Sequence, residues 1–281
     1  MDHKPPNLQA CLTVLRPTSG WIALKLKDLW DYRELLYFLV WRDLKVRYKQ
    51  TTLGILWAVI QPSLITLVFS IFFTRLTSLP ADGIPYPLFV FCGLLPWQLF
   101  AYVLNNASNS LIVNESLISK IYFPRLLIPL SAALSGLVDF AVACVVLFGM
   151  MLYYGATPAG GIWTLPLLVA LTLAVAVGVG LWLSALNVEY RDVRYAIPFL
   201  TQLWFFLSPV IFPSSILPER WHTWYGLNPL VGLIEGFRWA LLGKFEGPAS
   251  WLGMSLTVTV IILVSGLYYF RSMEKEFADI V

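Results

Sequence analysis

The chain is short of charge. Of its 281 residues, 12% are Asp, Glu, Lys or Arg, while 58% are hydrophobic. A soluble domain carries about twice that share of charge. So few polar side chains cannot cover a water-soluble fold of this size. A soluble enzyme, a disordered chain and a fibrous repeat are excluded together, and lipid becomes the expected solvent. Other shortages narrow the reading further. Cys11, Cys92 and Cys144 stand alone with no CxxC pair, so they read as packing residues and not as a disulfide framework. Two histidines, His3 and His222, and no HExxH string leave no expected metal site. A GxxxxGK[ST] loop is absent, so ATP binding of that kind is not expected on this chain. Ser, His and Asp are not placed to suggest a triad. The first 52 residues begin polar and hold no cleavable apolar stretch with small flanking residues, so no secretory leader is expected.

The apolar residues gather into long runs. Six spans are expected, at roughly 53–73, 87–104, 128–153, 163–186, 196–212 and 251–270. The fifth is the shortest and holds Pro198 and Pro209. An α-helical bundle is favoured, because each helix satisfies its own backbone in lipid, and barrel-type alternation is absent. Residues 1–28 read as a polar cytoplasmic segment. Residues 29–51 read as an amphipathic helix on the membrane surface, with the interfacial residue types Trp30, Tyr37, Trp41 and Tyr48 and a basic end. Residues 52–281 form the six-span transmembrane domain. With the N-terminus inside, fifteen of the 19 basic residues fall on the inner side. This sets both termini in the cytoplasm. Asn106 and Asn114 open glycosylation triplets, but both fall in or beside inner segments and are set aside.

Two connections are unlike plain loops. The inner stretch 105–124 carries Leu117, Ile118, Ile121, Tyr122 and Phe123, more apolar surface than a solvated linker needs. The outer stretch 213–250 has Leu230, Leu233, Ile234, Phe237 and Leu241 in a helical stripe. It is expected to form two short re-entrant or interfacial helices broken near Asn228 and Pro229. Within the spans, Asp139 is the one deep acid, and an ionisable group there is a functional candidate by default. Phe199, Trp204, Phe205, Phe206 and Phe212 crowd the short fifth span, and flat rings in such a row suit the sliding of a sugar polymer. The basic cluster Arg42, Lys45, Arg47 and Lys49 could attract anionic lipid or hold a phosphate-linked substrate, or it could simply set the topology.

Five strings, in order, carry a resemblance. Residues 42–50 (RDLKVRYKQ), followed by 53–58 (LGILWA) and Gln61-Pro62, open it. Residues 114–124 (NESLISKIYFP), 187–194 (NVEYRDVR), 208–212 (SPVIF) and 228–230 (NPL) continue it. On a six-span layout these strings resemble the polysaccharide-export permeases of type-2 ABC exporters, the membrane subunits that serve O-antigen, capsule or teichoic acid export. The likeness covers roughly residues 30–275.

That resemblance implies a homodimer in the bacterial inner membrane, working with two copies of a separate ABC ATPase subunit. ATP and Mg²⁺ would belong to the ATPase, with no cofactor on this chain. Coupling to the ATPase would fall to a helix near 114–124, with Asn114, Glu115, Ser116, Leu117, Ile118, Lys120, Ile121, Tyr122, Phe123 and Pro124. The nearby loop residues Tyr190, Arg191 and Asp192 would share that surface. Arg42, Lys45, Arg47 and Lys49 would receive the headgroup of a polyprenyl-diphosphate-linked polysaccharide. Trp57, Phe199, Trp204, Phe205, Phe206 and Phe212 would line its path, and Asn228, Pro229, Phe237 and Arg238 would belong to an external gate. Membrane lipids are expected partners and nucleic acid is not. Teichoic acid, capsule, a drug or a simple lipid remain alternative cargoes, and a membrane-embedded transferase is a distant alternative.

Overall fold

The structure is a computed structural model that describes residues 26–49, 51, 54–76, 84–190, 192–243 and 250–274. Among the described residues all regular structure is helical. Helices α1 (Leu26–Asp31) and α2 (Arg33–Lys49) precede α3 (Trp57–Leu76) and α4 (Tyr86–Val113). A single turn, α5 (Glu115–Ile118), leads to α6 (Leu127–Tyr153) and α7 (Leu165–Glu189). Then come α8 (Val193–Phe206), α9 (His222–Gly226), α10 (Pro229–Leu242) and α11 (Ser250–Met273).

Five stretches are long and apolar enough to cross a membrane: Gly54–Phe73, Tyr86–Val113, Leu127–Tyr153, Gly160–Glu189 and Ser250–Met273. They coincide with the first four expected spans and the sixth. The expected fifth span, 196–212, takes another form. Its helix, α8, has 14 residues, or about 21 Å of rise, short of a hydrocarbon core of about 30 Å. The helix gives way to turns at Leu207 and Ser208, where Pro209 offers no N–H and disfavours helical backbone in the residue before it.

Helix α4 is the central post. Of its most apolar window 78% is buried, against 17% for the α3 stretch and 22% for α11. Its apolar residues face all ways, as a helix enclosed by other helices requires. It packs against α3, α6, α7, α8 and α10. Small residues set the closest approaches, as in other bundles where lipid supplies no hydrophobic drive between helices. A Cβ on Gly266 of α11 would lie 2.3 Å from the Gly178 carbonyl oxygen of α7. Beside this crossing, Trp182 and Tyr269 stack with centroids 4.2 Å apart.

The expected surface helix 29–51 is two helices with a break at Tyr32. Leu39 is buried, whereas Trp30, Tyr37, Phe38 and Trp41 point outward. Asp43 accepts a hydrogen bond from Ser131, and Arg47 pairs with Asp139 eight residues further along α6. Helix α2 therefore runs beside the first half of α6 in the same direction. Of the segment 1–28, expected as a polar cytoplasmic stretch, residues 1–25 lie outside the described residues, and 26–28 begin α1.

The expected break at Asn228 is present between α9 and α10. The Asn228 side chain caps α10 by accepting from the Leu230 N–H, and it donates to the Leu207 carbonyl and the Ser208 hydroxyl. Gly243, in the left-handed conformation, closes the other end. The stripe Leu230, Leu233, Ile234, Phe237 and Leu241 is buried, but so are Val231, Glu235, Arg238 and Ala240 on the remaining faces. Helix α10 is thus enclosed by α4, α7 and α11.

The glycine crossing gives a test. Gly266→Leu should lower the thermal unfolding temperature of the detergent-solubilised protein or prevent its folding, since overpacking typically costs about 1–3 kcal/mol and here meets backbone. Gly149→Leu, where a Cβ meets nothing within 4 Å, should leave the transition unchanged.

Candidate functional site

A cavity of about 660 Å³ opens between α3, α4, α6 and α8, with Arg47 of α2 at its margin. Five of the residues expected at functional positions line it: Arg47, Trp57, Asp139, Phe205 and Phe206. Its polar lining is mostly neutral amide: Gln61 of α3, Gln98, Asn105 and Asn106 of α4, and Gln202 of α8. Asn105 and Asn106 donate to the carbonyls of Ala101 and Tyr102 in their own helix, which leaves their side-chain oxygens as acceptors. The Gln98 Nε2 is buried without a hydrogen-bond partner among the described residues.

The charged edge of the cavity is one connected group. Arg47 lies 2.5 Å from Asp139 Oδ2, and the Tyr48 hydroxyl donates to Asp139 Oδ1, so both carboxylate oxygens are engaged. The Arg47 guanidinium sits 4.3 Å from the Tyr102 ring centroid. Gly136 makes room for that ring: a Cβ there would be 2.7 Å from it. Tyr102 in turn shares a hydrogen bond with Ser135 at 3.1 Å. Burial first, and then the Asp139 carboxylate, push the Tyr48 hydroxyl above its usual range, so it stays a donor at any physiological pH.

The other basic residues of the cluster part company with Arg47. Arg42 pairs with its neighbour Asp43 at 2.8 Å, and Lys45 and Lys49 are exposed away from the cavity lining. The aromatic row divides likewise. Phe205 packs edge-on against Trp97, with centroids 5.3 Å apart, on the cavity wall. Trp204 packs on Phe100 and donates to the Asn228 side chain, tying α8 to the start of α10. Phe199 is 65% exposed on the outer face of α8, and Phe212 packs against the core.

A second charged pair lies wholly inside. Arg238 and Glu235 of α10 are 2.8 Å apart with relative exposures of 2% and 0%. Arg238 also donates to the Val210 carbonyl at 2.9 Å and lies 3.7 Å from the Phe89 ring centroid. It therefore joins α10 to α4 and to the turn after α8. Asn228, Pro229 and Phe237 share this buried helix, and Phe237 meets Phe140 of α6 edge-on. Glu235, which lies outside the expected spans, is more deeply buried than Asp139, the acid expected within them. Its partner three residues on was the available signal, masked by the surrounding apolar run.

At the end of the bundle where α4 and α7 finish, several segments converge. Asn187 of α7 donates to the Ser108 carbonyl and the Asn109 side chain. Arg125 donates to the Glu274 carbonyl, 2.5 Å away, so the end of α11 joins them. From this end α5 projects. Ile118 and Phe123 are anchored in the core, while Ile121 and Tyr122 are 56% and 77% exposed. Glu115, Ser116 and Lys120 are exposed, Leu117 packs against the core, and Asn114 and Pro124 flank the turn by accepting backbone bonds. Tyr190 and Asp192 are exposed on the adjacent α7–α8 turn, and Arg191 lies outside the described residues.

These features define a multi-pass helical membrane protein with an internal amide- and aromatic-lined cavity. The ABC-2 type transporter family model matches residues 34–242, and the chain belongs to that family. It is 31% identical over 257 residues to the O-antigen export system permease protein RfbA of Myxococcus xanthus, covering 90% of this chain and 97% of that protein. A Klebsiella pneumoniae protein of the same name is 30% identical over 92% of this chain and its own full length. The polysialic acid transport protein KpsM of Escherichia coli is 24% identical over 83% of this chain and 91% of its own.

The buried pair predicts a defined asymmetry. Arg238→Ala should destabilise the folded protein by about 3–5 kcal/mol, because it strands a buried carboxylate. Replacing both partners with apolar residues, Glu235→Leu with Arg238→Met, should recover most of that loss in thermal unfolding.

Proposed function

We propose that this chain is the permease subunit of an ABC exporter that moves a lipid-linked, O-antigen-like polysaccharide across the bacterial inner membrane. The carrying observation is the family match joined to near full-length similarity with O-antigen export permeases. The cavity supports the same reading. Neutral amides and flat rings give a sugar many weak hydrogen bonds and apolar stacking surfaces, with no deep affinity to halt a sliding chain. The polyprenyl diphosphate headgroup arrives at the rim that holds Arg42, Lys45, Arg47 and Lys49, and Arg47 is the member of that cluster that reaches the cavity.

In this reading two copies pair, and each meets one copy of a separate ATPase, which holds the ATP and Mg²⁺. Helix α8 with the turn after it completes a sixth crossing, α1 and α2 line the cytoplasmic interface, and both termini are cytoplasmic. The α9–α10 segment forms the external gate. The turn α5 and the loop at Tyr190 and Asp192 dock on the ATPase. Exposed Ile121 and Tyr122 on a turn anchored by Ile118 and Phe123 support that assignment, since a coupling element must be rigid behind and sticky in front. ATP-driven movement of α5 passes directly into α4 and α6, the helices on either side of it and two walls of the cavity.

Tyr122→Asp should abolish surface polysaccharide and reduce co-purification of the ATPase at least several-fold, with normal membrane levels of the permease. Immunoblotting of surface polysaccharide and affinity purification of the complex check this. Unchanged export together with unchanged ATPase assembly would sink the coupling assignment.

A further inference from the structure

We infer that Asp139 is a built-in counter-ion that occupies Arg47 until the phosphate of an incoming glycolipid displaces it, so that the cavity selects phosphate-bearing glycolipids over neutral ones. The inference rests on the export reading above and assigns a specificity role within it.

The geometry carries it. Among the described residues of the cavity lining, Arg47 is the only one with a fixed positive charge and Asp139 the only acid. They are held together at 2.5 Å on the edge of an otherwise neutral site. Asp139 lies within a membrane-crossing stretch, where an unpaired charge is costly, so the Arg47 pairing stabilises it. The pair is nevertheless not sealed: the Arg47 and Asp139 side chains keep 39% and 18% of their exposure, unlike the Glu235–Arg238 pair at 0% and 2%. One pair is thus built to stay closed and the other to be reached.

The exchange leaves each group a hydrogen-bond partner. A phosphate presents oxygens that suit the guanidinium fork at least as well as a carboxylate does. The Tyr102 ring keeps the guanidinium plane in place from behind. Once released, Asp139 retains the Tyr48 hydroxyl as a donor on its other oxygen. The sugar next to the phosphate then falls among the cavity amides, where Gln98 Nε2 is a buried donor with no partner among the described residues. A neutral glycolipid meets the same amides but has nothing with which to open the pair.

The test uses the full chain in lipid nanodiscs and two fluorescent short-chain prenyl probes, one a diphosphate-linked N-acetylhexosamine and one the matching neutral glycoside. Inorganic pyrophosphate as competitor separates recognition of the headgroup from recognition of phosphate alone. Asp139→Asn should bind the diphosphate probe about three- to tenfold more tightly than wild type and the neutral probe equally well. Arg47→Gln should lose the preference between the two probes. Asp139→Ser, with a smaller side chain, is the second variant. In the unaltered chain, the diphosphate probe should shift the carboxylate band in infrared difference spectra and the neutral probe should not. Asp139 variants that bind the diphosphate probe no more tightly, or an unchanged carboxylate band at saturation, overturn the counter-ion role. If Arg47→Gln still loses the preference in that case, the headgroup reading of the cavity stands without it. If wild type binds neither probe, that reading falls as well.

Discussion

An ionised group inside an apolar bundle persists only with a partner, and the two internal pairs of this protein organise much of what surrounds them. Glu235 and Arg238 allow a 14-residue helix to sit at depth among α4, α7 and α11, because Arg238 also satisfies the Val210 carbonyl and lies over Phe89. Arg47 and Asp139 join α2 to α6 and bring a fixed positive charge to the cavity. The chemical difference is access. The first pair is enclosed on every side and acts as a structural joint. The second faces an open space and can exchange partners. In a chain with 12% charged residues, each such placement has a structural consequence that a surface ion pair would lack.

The layout connects the two ends of the molecule through few elements. Helix α4 forms the wall of the cavity, packs against α10 through Arg238 and runs directly into α5 at the other end. Helix α8 joins the Tyr190 turn to the Ser208–Asn228 region, where Trp204 holds the Asn228 side chain. A displacement applied at α5 and at the α7–α8 turn therefore reaches both the cavity and the cap of α10 by rigid paths. The proposed coupling of an external ATPase to passage through the bundle needs no further machinery within this chain than these two helices.

Much of the architecture was legible in the sequence because lipid imposes long, uninterrupted apolar runs. Five of the six expected spans stand as helices of sufficient length, and the break at Asn228 was visible in its side chain and the following proline. The fifth span was misjudged in form because apolar composition continues through 207–212 while Pro209 ends the helix, so hydropathy and backbone chemistry disagree there. The packing of the expected surface helix was not legible, because Arg47 and Tyr48 pair with a residue about ninety positions away and local periodicity holds no trace of that. The cavity amides were missed for a related reason. Gln61, Gln98, Asn105 and Gln202 are scattered across three apolar segments, and only packing brings them together. Asp139 was legible as unusual, but its partners were not. The aromatic row of 199–212 divides among cavity, helix contact and outer face because successive residues of a helix point in different directions.

In the proposed mechanism, ATP hydrolysed by a partner drives a phosphate-linked sugar polymer through this chain. The most direct measurement is reconstitution of the permease with its ATPase in sealed vesicles containing a radiolabelled prenyl-diphosphate polysaccharide. Transfer of the polymer to the opposite leaflet is read by its loss to an added glycosidase. Transfer that requires ATP and the permease, and that fails for a neutral lipid of the same size, is the expected result. Equal transfer without ATP, or no transfer with a competent ATPase bound, would rule out ATP-driven export by this chain.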